Sequence, residues 1–274
     1  MSVGAESGRP SGAGLTRDLG LVLWQIRYEQ RAFWRNRGRG VFTFAFPLIL
    51  LVVFASVSES NTTAAAGGKI AYDDFFVPGI LAYGAITTTY VNLAISTAVL
   101  RDQGVLKRMQ GTPLPRWVYI AARIGSSALL VLIMTLIVLV LGRVAYSVPV
   151  RISRLPAMIV TLMLGTAAFT TLGIGITRFI RNAESAPVIV NLTIWPLSFI
   201  SGIWFPIQGM SKTLKSIANA FPIRPLADGL QTAVNPHTTG AGFVGHDLRT
   251  LVIWTAVGSY LMLRSLNRPE GDRG

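Results

Sequence analysis

The two histidines, His237 and His246, are the residues best suited to proton transfer, because imidazole titrates near neutral pH. His246 is followed by Asp247, so these two side chains could form an acid–base pair. The histidines lie nine residues apart, which is not a spacing that ligates a metal ion. Cysteine is absent, which excludes disulfides and thiolate chemistry. The pattern favours solvated loop residues, and we predict no catalytic, cofactor-binding or metal-binding residue.

The sequence also lacks a recognisable nucleotide site. Gly67-Gly68-Lys69 is followed by Ile70 and lacks the upstream glycine of a phosphate loop. If ATP acts on this protein, we therefore expect another chain to bind it. The net charge of +13 could indicate a nucleic-acid partner, but the charges flank long apolar runs. Orientation in a membrane and contact with anionic membrane lipid explain that arrangement better, so we predict no nucleic-acid partner.

The most charged internal connection occupies residues 100–117, between two apolar runs, and is called the basic segment below. Its charged residues are Arg101, Asp102, Lys107, Arg108 and Arg116. Short loops rich in arginine and lysine are retained in the cytoplasm, so we place the segment there. Residues 102–110 contain no proline and can form about two helical turns, with several apolar side chains on one side. A basic loop that only fixes topology is the alternative.

Six apolar runs are long enough to cross a bilayer as helices. They cover about residues 41–57, 75–99, 118–141, 156–177, 186–205 and 248–266. With the N-terminus inside, 17 basic residues fall on the cytoplasmic side and 8 outside. This count predicts a multi-pass protein of the cell membrane with both termini cytoplasmic, although Arg154 and its neighbours in an outer loop oppose it. Arg123 is expected to snorkel to the cytoplasmic border. Ala167, Thr171 and Gly175 predict close packing of the fourth span.

The N-terminal region divides into two parts. Residues 1–14 are rich in glycine and serine and predict a disordered tail, followed by a single membrane domain in residues 15–274. From the start of that domain, apolar residues recur at a helical period, while Arg27, Arg31 and Arg35 line another face. A helix with an apolar side and an arginine-rich side is typical of the membrane interface.

The stretch between the last two spans is too polar to cross the membrane, and predicts an interfacial or re-entrant pair of short helices on the outside. We expect an apolar stripe on this pair to be buried against the spans and to help form an outer gate; a lipid-facing anchor is the alternative. The gate would comprise Trp204, Phe205, Pro206, Phe221 and Pro222. Polar residues at membrane depth would form helix–helix hydrogen bonds or a substrate path, and include Thr88, Asn92 and Asn191.

Several motifs resemble one family. The string RDQGVLKRM at residues 101–109, followed by TPL at 112–114, is similar to the coupling-helix signature of type-2 ABC transporter permeases, R-E-x-G-T-L-E-R-L-x-x-T-P. This chain has Asp102, Val105 and Lys107 where the signature has Glu, Thr and Glu; the first change keeps the charge and the last reverses it. Strings near the second and fifth spans, FFVPGIL and SGIWFPIQGM, also resemble the family. Gln231 replaces an arginine that is frequent in it.

The resemblance implies an all-α membrane protein with six transmembrane helices. It also implies an N-terminal interfacial amphipathic helix, a cytoplasmic coupling helix and a re-entrant outer helix pair before the last span. The coupling helix would dock into a separate ATPase subunit through Arg101, Asp102, Gly104, Leu106, Lys107, Arg108 and Met109.

The implied function is that of a permease subunit in an ATP-driven ABC exporter of an amphiphilic drug, lipid or glycan precursor. Two copies of the ATPase would bind ATP and Mg²⁺, and this chain would bind no cofactor. The permease would form a homodimer, or a heterodimer with a second permease. The alternatives are a membrane-embedded lipid-modifying enzyme and a permease-like immunity protein that transports nothing.

Overall fold

The computed structural model describes residues 11–57, 62–65, 68–105, 116–149 and 151–266, and these are mostly helical. The α-helices are α1 (Ser11–Arg35), α2 (Arg37–Val57), α3 (Tyr72–Ile86), α4 (Asn92–Asp102), α5 (Arg116–Tyr146), α6 (Leu155–Ile176), α7 (Ala186–Ile200), α8 (Lys212–Ala220), α9 (Ile223–Val234) and α10 (Gly245–Leu266). A π-helical turn lies at Thr87–Val91, and 3₁₀ turns lie at Ile152–Arg154, Thr177–Phe179 and Ile207–Gly209. The predicted all-α architecture is confirmed.

The first two helices are separated by a single residue, Asn36. The stretches 17–35 and 40–54 are bent by 73° to each other, which fits the predicted break between a charged helix and an apolar one. α1 begins at Ser11, so residues 11–14 of the predicted tail are helical. Residues 1–10 lie outside the described residues.

α3, the π turn and α4 form one continuous rod. Threonine hydroxyls stabilise the π turn by donating to carbonyls of the preceding turn: Thr87 Oγ1 to Tyr83 O at 3.0 Å, and Thr89 Oγ1 to Ala85 O at 2.6 Å. Such side chains offer the backbone hydrogen bonds outside the regular ladder, and π turns occur frequently at functional sites.

α6 lies at the centre of the fold, where it packs against α10, α9, α5 and α4. Glycines permit the closest approach. A Cβ atom on Gly258 of α10 would lie 2.4 Å from Thr171 Oγ1, and one on Gly175 would lie 2.8 Å from Leu261 Cβ. The predicted close packing of the small-residue stripe on α6 is therefore confirmed at Thr171 and Gly175.

Two helical stretches of the described residues are each long and apolar enough to cross a membrane, Trp117–Tyr146 and Ile152–Phe179. The bent pair of α1 and α2 would supply a third, and α7 is apolar but shorter. The protein is thus an all-helical membrane protein, whereas the count of six spans stays a prediction.

The end of the molecule opposite the basic segment carries the short elements. Strands β1 (Thr62–Ala65) and β2 (Gly68–Ala71) form an antiparallel hairpin that the sequence analysis missed. α7 ends at Ile200 and not at the predicted residue 205, because Gly202 has a left-handed backbone (φ +81) that stops the helix. The two short helices expected next are present as α8 and α9.

Candidate functional site

The basic segment leaves α4 at Arg101 and Asp102, and both side chains contact the connection between α6 and α7. Arg101 Nη1 donates to Thr177 O at 2.6 Å, and Nη2 donates to Ile180 O at 2.5 Å. Asp102 Oδ2 accepts from the main-chain N–H of Ala183 at 2.5 Å. Carbonyls at a helix C-terminus lack intrahelical partners and carry partial negative charge, so a guanidinium is favourable there. We call these five residues the clasp.

Beyond the clasp, the described part of the basic segment is short. α4 ends at Asp102, and Gly104 adopts a left-handed conformation (φ +68) that turns the chain away from the helix axis. Leu106, Lys107, Arg108 and Met109 lie outside the described residues. The coupling helix therefore stays a prediction beyond its first residues.

α1 is attached to the start of α5 by a buried polar contact. Glu29 Oε1 lies 3.2 Å from Arg123 Nε, and both side chains are about nine-tenths buried. Gln30 Nε2 donates to Ser126 O at 2.8 Å. Burial raises the pKa of Glu29 more than the charge of Arg123 lowers it. Arg123 thus has a carboxylate partner on α1 that the sequence analysis did not anticipate, and its expected position at the cytoplasmic border stays a prediction.

The opposite side of α1 is exposed and carries the arginines. Arg27, Arg31 and Arg35 are all exposed, as the sequence predicted for a polar face. Trp24 and Tyr28 are exposed beside them, with stacked rings whose centroids are 6.0 Å apart. One surface of α1 thus presents both basic and aromatic side chains, which is the composition of a helix at a membrane interface.

The predicted gate residues divide between buried and exposed positions. Trp204 is buried in an aromatic cluster, with its ring centroid 5.0 Å from that of Tyr83, and its Nε1–H donates to Ser198 Oγ at 3.1 Å. Phe205 is 53% exposed, although we expected its burial. Ile203 and Trp204 just before it are both buried, so the buried run ends at Trp204.

The second part of the predicted gate lies at α8. Phe221 stacks on Trp254 of α10 with ring centroids 5.9 Å apart, and Pro222 is buried. The apolar stripe of α8, however, is exposed at Leu214 and Ile217 in the single chain. Its predicted burial against the spans is wrong for these two residues, because α8 packs through buried Ala218 and through Ala220, whose carbonyl oxygen accepts from Trp254 Nε1 at 2.8 Å. Pro206 is half-buried between the two parts.

The residues of the predicted substrate path are distributed over two helices. Thr88 is buried in the π turn, and Asn92 is half-buried one turn later on the same rod. Asn191 lies on α7, where its Nδ2 donates to Pro187 O of its own helix at 2.8 Å. This Asn191 bond lies within one helix and is therefore not the helix–helix hydrogen bond that was the alternative, and the substrate path stays a prediction.

An acidic cluster that the sequence analysis missed lies at the end opposite the clasp. Asp247 is 6% exposed at the start of α10, beside Asp228 and Arg224 of α9. Burial and the neighbouring Asp228 raise the pKa of Asp247 to about 8. Asp228 and Arg224 also line a cavity of about 50 Å³, space for a few water molecules. His246 Nδ1 lies 3.5 Å from Asp247 Oδ1, and His237 Nε2 lies 3.2 Å from Lys69 O in the hairpin.

A family model described as ABC-2 type transporter matches residues 21–234. The chain belongs to the ABC-2 type transporter family. The match runs from α1 to the last residue of α9, so it includes the clasp, the basic segment and Trp204. An ABC-2 transporter chain of this kind is a membrane permease subunit of an ABC transporter, and membership implies an ATPase partner.

Curated relatives of this ABC-2 permease are named as permeases too. The "Inner membrane transport permease YadH" of Escherichia coli K12 is 21% identical over 183 residues, which cover 67% of this chain and 70% of the relative. The "Putative transport permease YvfS" of Bacillus subtilis 168 is 23% identical over 71% of this chain and 77% of its own length. The "Probable multidrug ABC transporter permease YbhR" of E. coli K12 is 24% identical over 70% of this chain and 53% of its own.

Proposed function

We propose that this permease subunit belongs to an ATP-driven exporter and crosses the cell membrane six times, with both termini in the cytoplasm. The observation that carries the proposal is the position of the family signature. Its residues Arg101 and Asp102 end α4 and hold the connection between α6 and α7. An ATPase bound to the basic segment would thus act where three membrane helices meet.

The working unit is a dimer of permeases with two ATPase copies, which bind ATP and Mg²⁺. α7 carries exposed apolar side chains, for example Leu192, which is 73% exposed in the single chain. Such a surface supports the proposal that another apolar surface covers α7. A second copy of this chain or a second permease covers part of such a surface, and lipid covers the rest. The cargo is an amphiphilic drug, lipid or glycan precursor, and the name of the multidrug relative supports the first class.

Two surfaces support the orientation and the gate. The basic and aromatic side of α1 lies at the cytoplasmic membrane interface, on the same end as the clasp. At the other end, Trp204 closes the inner aromatic cluster, while Phe205 and the stripe of α8 face the second permease across the exit. The polar residues Thr88, Asn92 and Asn191 line the substrate path between these ends.

Reconstitution with an ATPase tests the function. Wild-type permease should co-purify with a co-expressed ATPase and drive ATP-dependent movement of a fluorescent amphiphile in vesicles. Arg108→Glu should weaken co-purification, because it reverses a charge in the coupling signature. Arg151→Glu, an exposed arginine at the opposite end, is the matched control and should leave it unchanged. Wild-type permease that binds no ATPase, or equal binding by both variants, would contradict the proposal.

Cysteine labelling tests the topology, since the chain contains no native cysteine. Thr213→Cys on α8 and Glu184→Cys before α7 are both exposed and lie at opposite ends. A membrane-impermeant maleimide should label the first in intact cells and the second only after permeabilisation. Labelling of both positions in intact cells would show that the six-span topology is wrong.

A further inference from the structure

The clasp has two arms that hold different parts of the connection between α6 and α7. The Arg101 guanidinium donates to Thr177 O, directly after α6 ends at Ile176, and also to Ile180 O and to Arg181 O at 3.4 Å. The Asp102 carboxylate accepts the N–H of Ala183, three residues before α7 begins at Ala186. One arm therefore holds the part of the connection that starts at the end of α6, and the other holds the part that leads into α7.

The first arm ends on a tightly packed part of the fold. The Thr177 hydroxyl lies 3.0 Å from Ser265 Oγ of α10. Just before it in the chain, a Cβ atom on Gly173 would lie 2.8 Å from the main-chain oxygen of Tyr90, and Gly175 packs equally closely on Leu261. A displacement of α6 would have to disrupt backbone packing that is already at contact distance.

The second arm ends on an element with more freedom. α7 packs against α4, but much of its surface is exposed, including Val188 and Leu192. Pro187 lies in its first turn, where the fixed φ of proline stabilises the helical start. Pro196 removes a backbone hydrogen bond inside α7, so a displacement at its N-terminal end acts on the part of the helix before Pro196.

We propose that Asp102 is a positioning residue that transmits displacement of the basic segment to α7, while Arg101 anchors the same segment to α6. The inference rests on the proposed function, because the bound ATPase supplies the displacement. Arg101 acts as a pivot since the end of α6 holds its guanidinium. The contact between Asp102 and Ala183 then moves the start of α7 against α4, and α6 and α10 stay together.

Substitution of Asp102 tests this role in the reconstituted complex. Asp102→Ala should lower the amount transported per ATP hydrolysed roughly tenfold, the factor that loss of one charge-assisted hydrogen bond brings. The ATPase should still co-purify, because the expected docking residues further along the segment, among them Lys107 and Arg108, are unchanged in this variant. Asp102→Asn should restore most of the coupling, since its amide oxygen also accepts an N–H. Glu184→Ala, which removes an exposed carboxylate beside Ala183, should couple as wild type does.

Distance measurements give a readout that a purely structural role would not change. Spin labels at Leu192→Cys on α7 and Leu263→Cys on α10 should report a distance change when ATP is bound without hydrolysis. The change should be absent in Asp102→Ala. If that variant fails to fold, Ala183→Pro removes the same hydrogen bond from the other side and should have the same effect.

The results separate the two proposals. Wild-type coupling and the full ATP-dependent distance change in Asp102→Ala, with the ATPase bound, would overturn the role of Asp102 and leave the proposed function intact. A wild-type complex without ATP-driven transport would refute the proposed function, and the transmission role with it.

Discussion

Gly258 gives the sharpest test of the packing between α6 and α10. A Cβ atom there would lie 2.4 Å from Thr171 Oγ1 and 2.9 Å from the main-chain nitrogen of Leu172. The second neighbour is backbone and cannot rotate away, so Gly258→Ala must separate the two helices. Overpacking of this kind costs about 1–3 kcal/mol. We place the overpacking cost of Gly258→Ala near the upper end of that range, because one of the two neighbours is backbone. The better helix propensity of alanine offsets this cost by roughly 1 kcal/mol. The expected net loss is about 2 kcal/mol.

Thermal unfolding in detergent measures this loss. For a chain of this size, about 2 kcal/mol corresponds to a fall in Tm of roughly 4–8 °C. Gly20→Ala is the control, because a Cβ atom at that helical position meets nothing within 4 Å and should raise stability slightly. Adding Thr171→Ala to Gly258→Ala should recover part of the loss, since it removes the nearer clash. A Tm for Gly258→Ala equal to that of Gly20→Ala would refute the close approach of the helices.

Two further predictions concern charged groups. Glu29→Ala leaves Arg123 buried without its carboxylate partner and should lower the free energy of unfolding by roughly 3–5 kcal/mol. Glu184→Ala removes an exposed carboxylate and should change the free energy of unfolding by less than about 0.5 kcal/mol. An equal Tm of Glu29→Ala and wild type would contradict the buried pair. The pKa of Asp247 is raised to about 8 by burial and by Asp228, so the folded protein keeps a proton that the unfolded chain releases near its ordinary value of 3.8. Stability decreases with pH wherever the folded state binds more protons than the unfolded state, so the free energy of unfolding should fall as pH rises from about 5 to 8. Asp247→Asn should remove much of that fall in melting curves recorded across this range. A pH profile of the variant parallel to that of the wild type would show that Asp247 is not responsible.

The sequence predicted the long helices because each one is a continuous apolar run with charged ends. The break at Asn36 and the close packing at Gly175 also followed from local patterns. The hairpin at residues 62–71 was missed because its strands are short and lack the alternation of apolar and polar residues that marks a strand. The π turn was missed as well, since its hydrogen-bond pattern differs from that of an α-helix without any distinct apolar period.

The candidate site was predictable only in part. The signature marked Arg101 and Asp102 as functional, but hydrogen bonds to main-chain atoms more than 70 positions away leave no pattern in one sequence. The partner of Arg123 was missed because Glu29 lies on a helix whose packing side could not be identified from the period of its apolar residues. The exposure of Phe205 was missed because it directly follows buried Ile203 and Trp204, and an unbroken apolar run does not mark where burial ends.

Of the three arginines in the outer loop that oppose the charge rule for topology, Arg143, Arg151 and Arg154, the last has an explanation in the same chemistry as the clasp. Arg154 is 3% exposed, and its guanidinium donates to Asn235 O at 2.6 Å and to Thr238 O. These carbonyls follow the end of α9, so Arg154 stabilises a helix C-terminus just as Arg101 does at the end of α6. A buried arginine committed to carbonyl oxygens contributes little to the surface charge of a loop, and loop retention depends on that charge. α6 is thus bounded by two such contacts, one before its first residue and one after its last, and both connect the ends of the central helix to carbonyl oxygens of neighbouring segments.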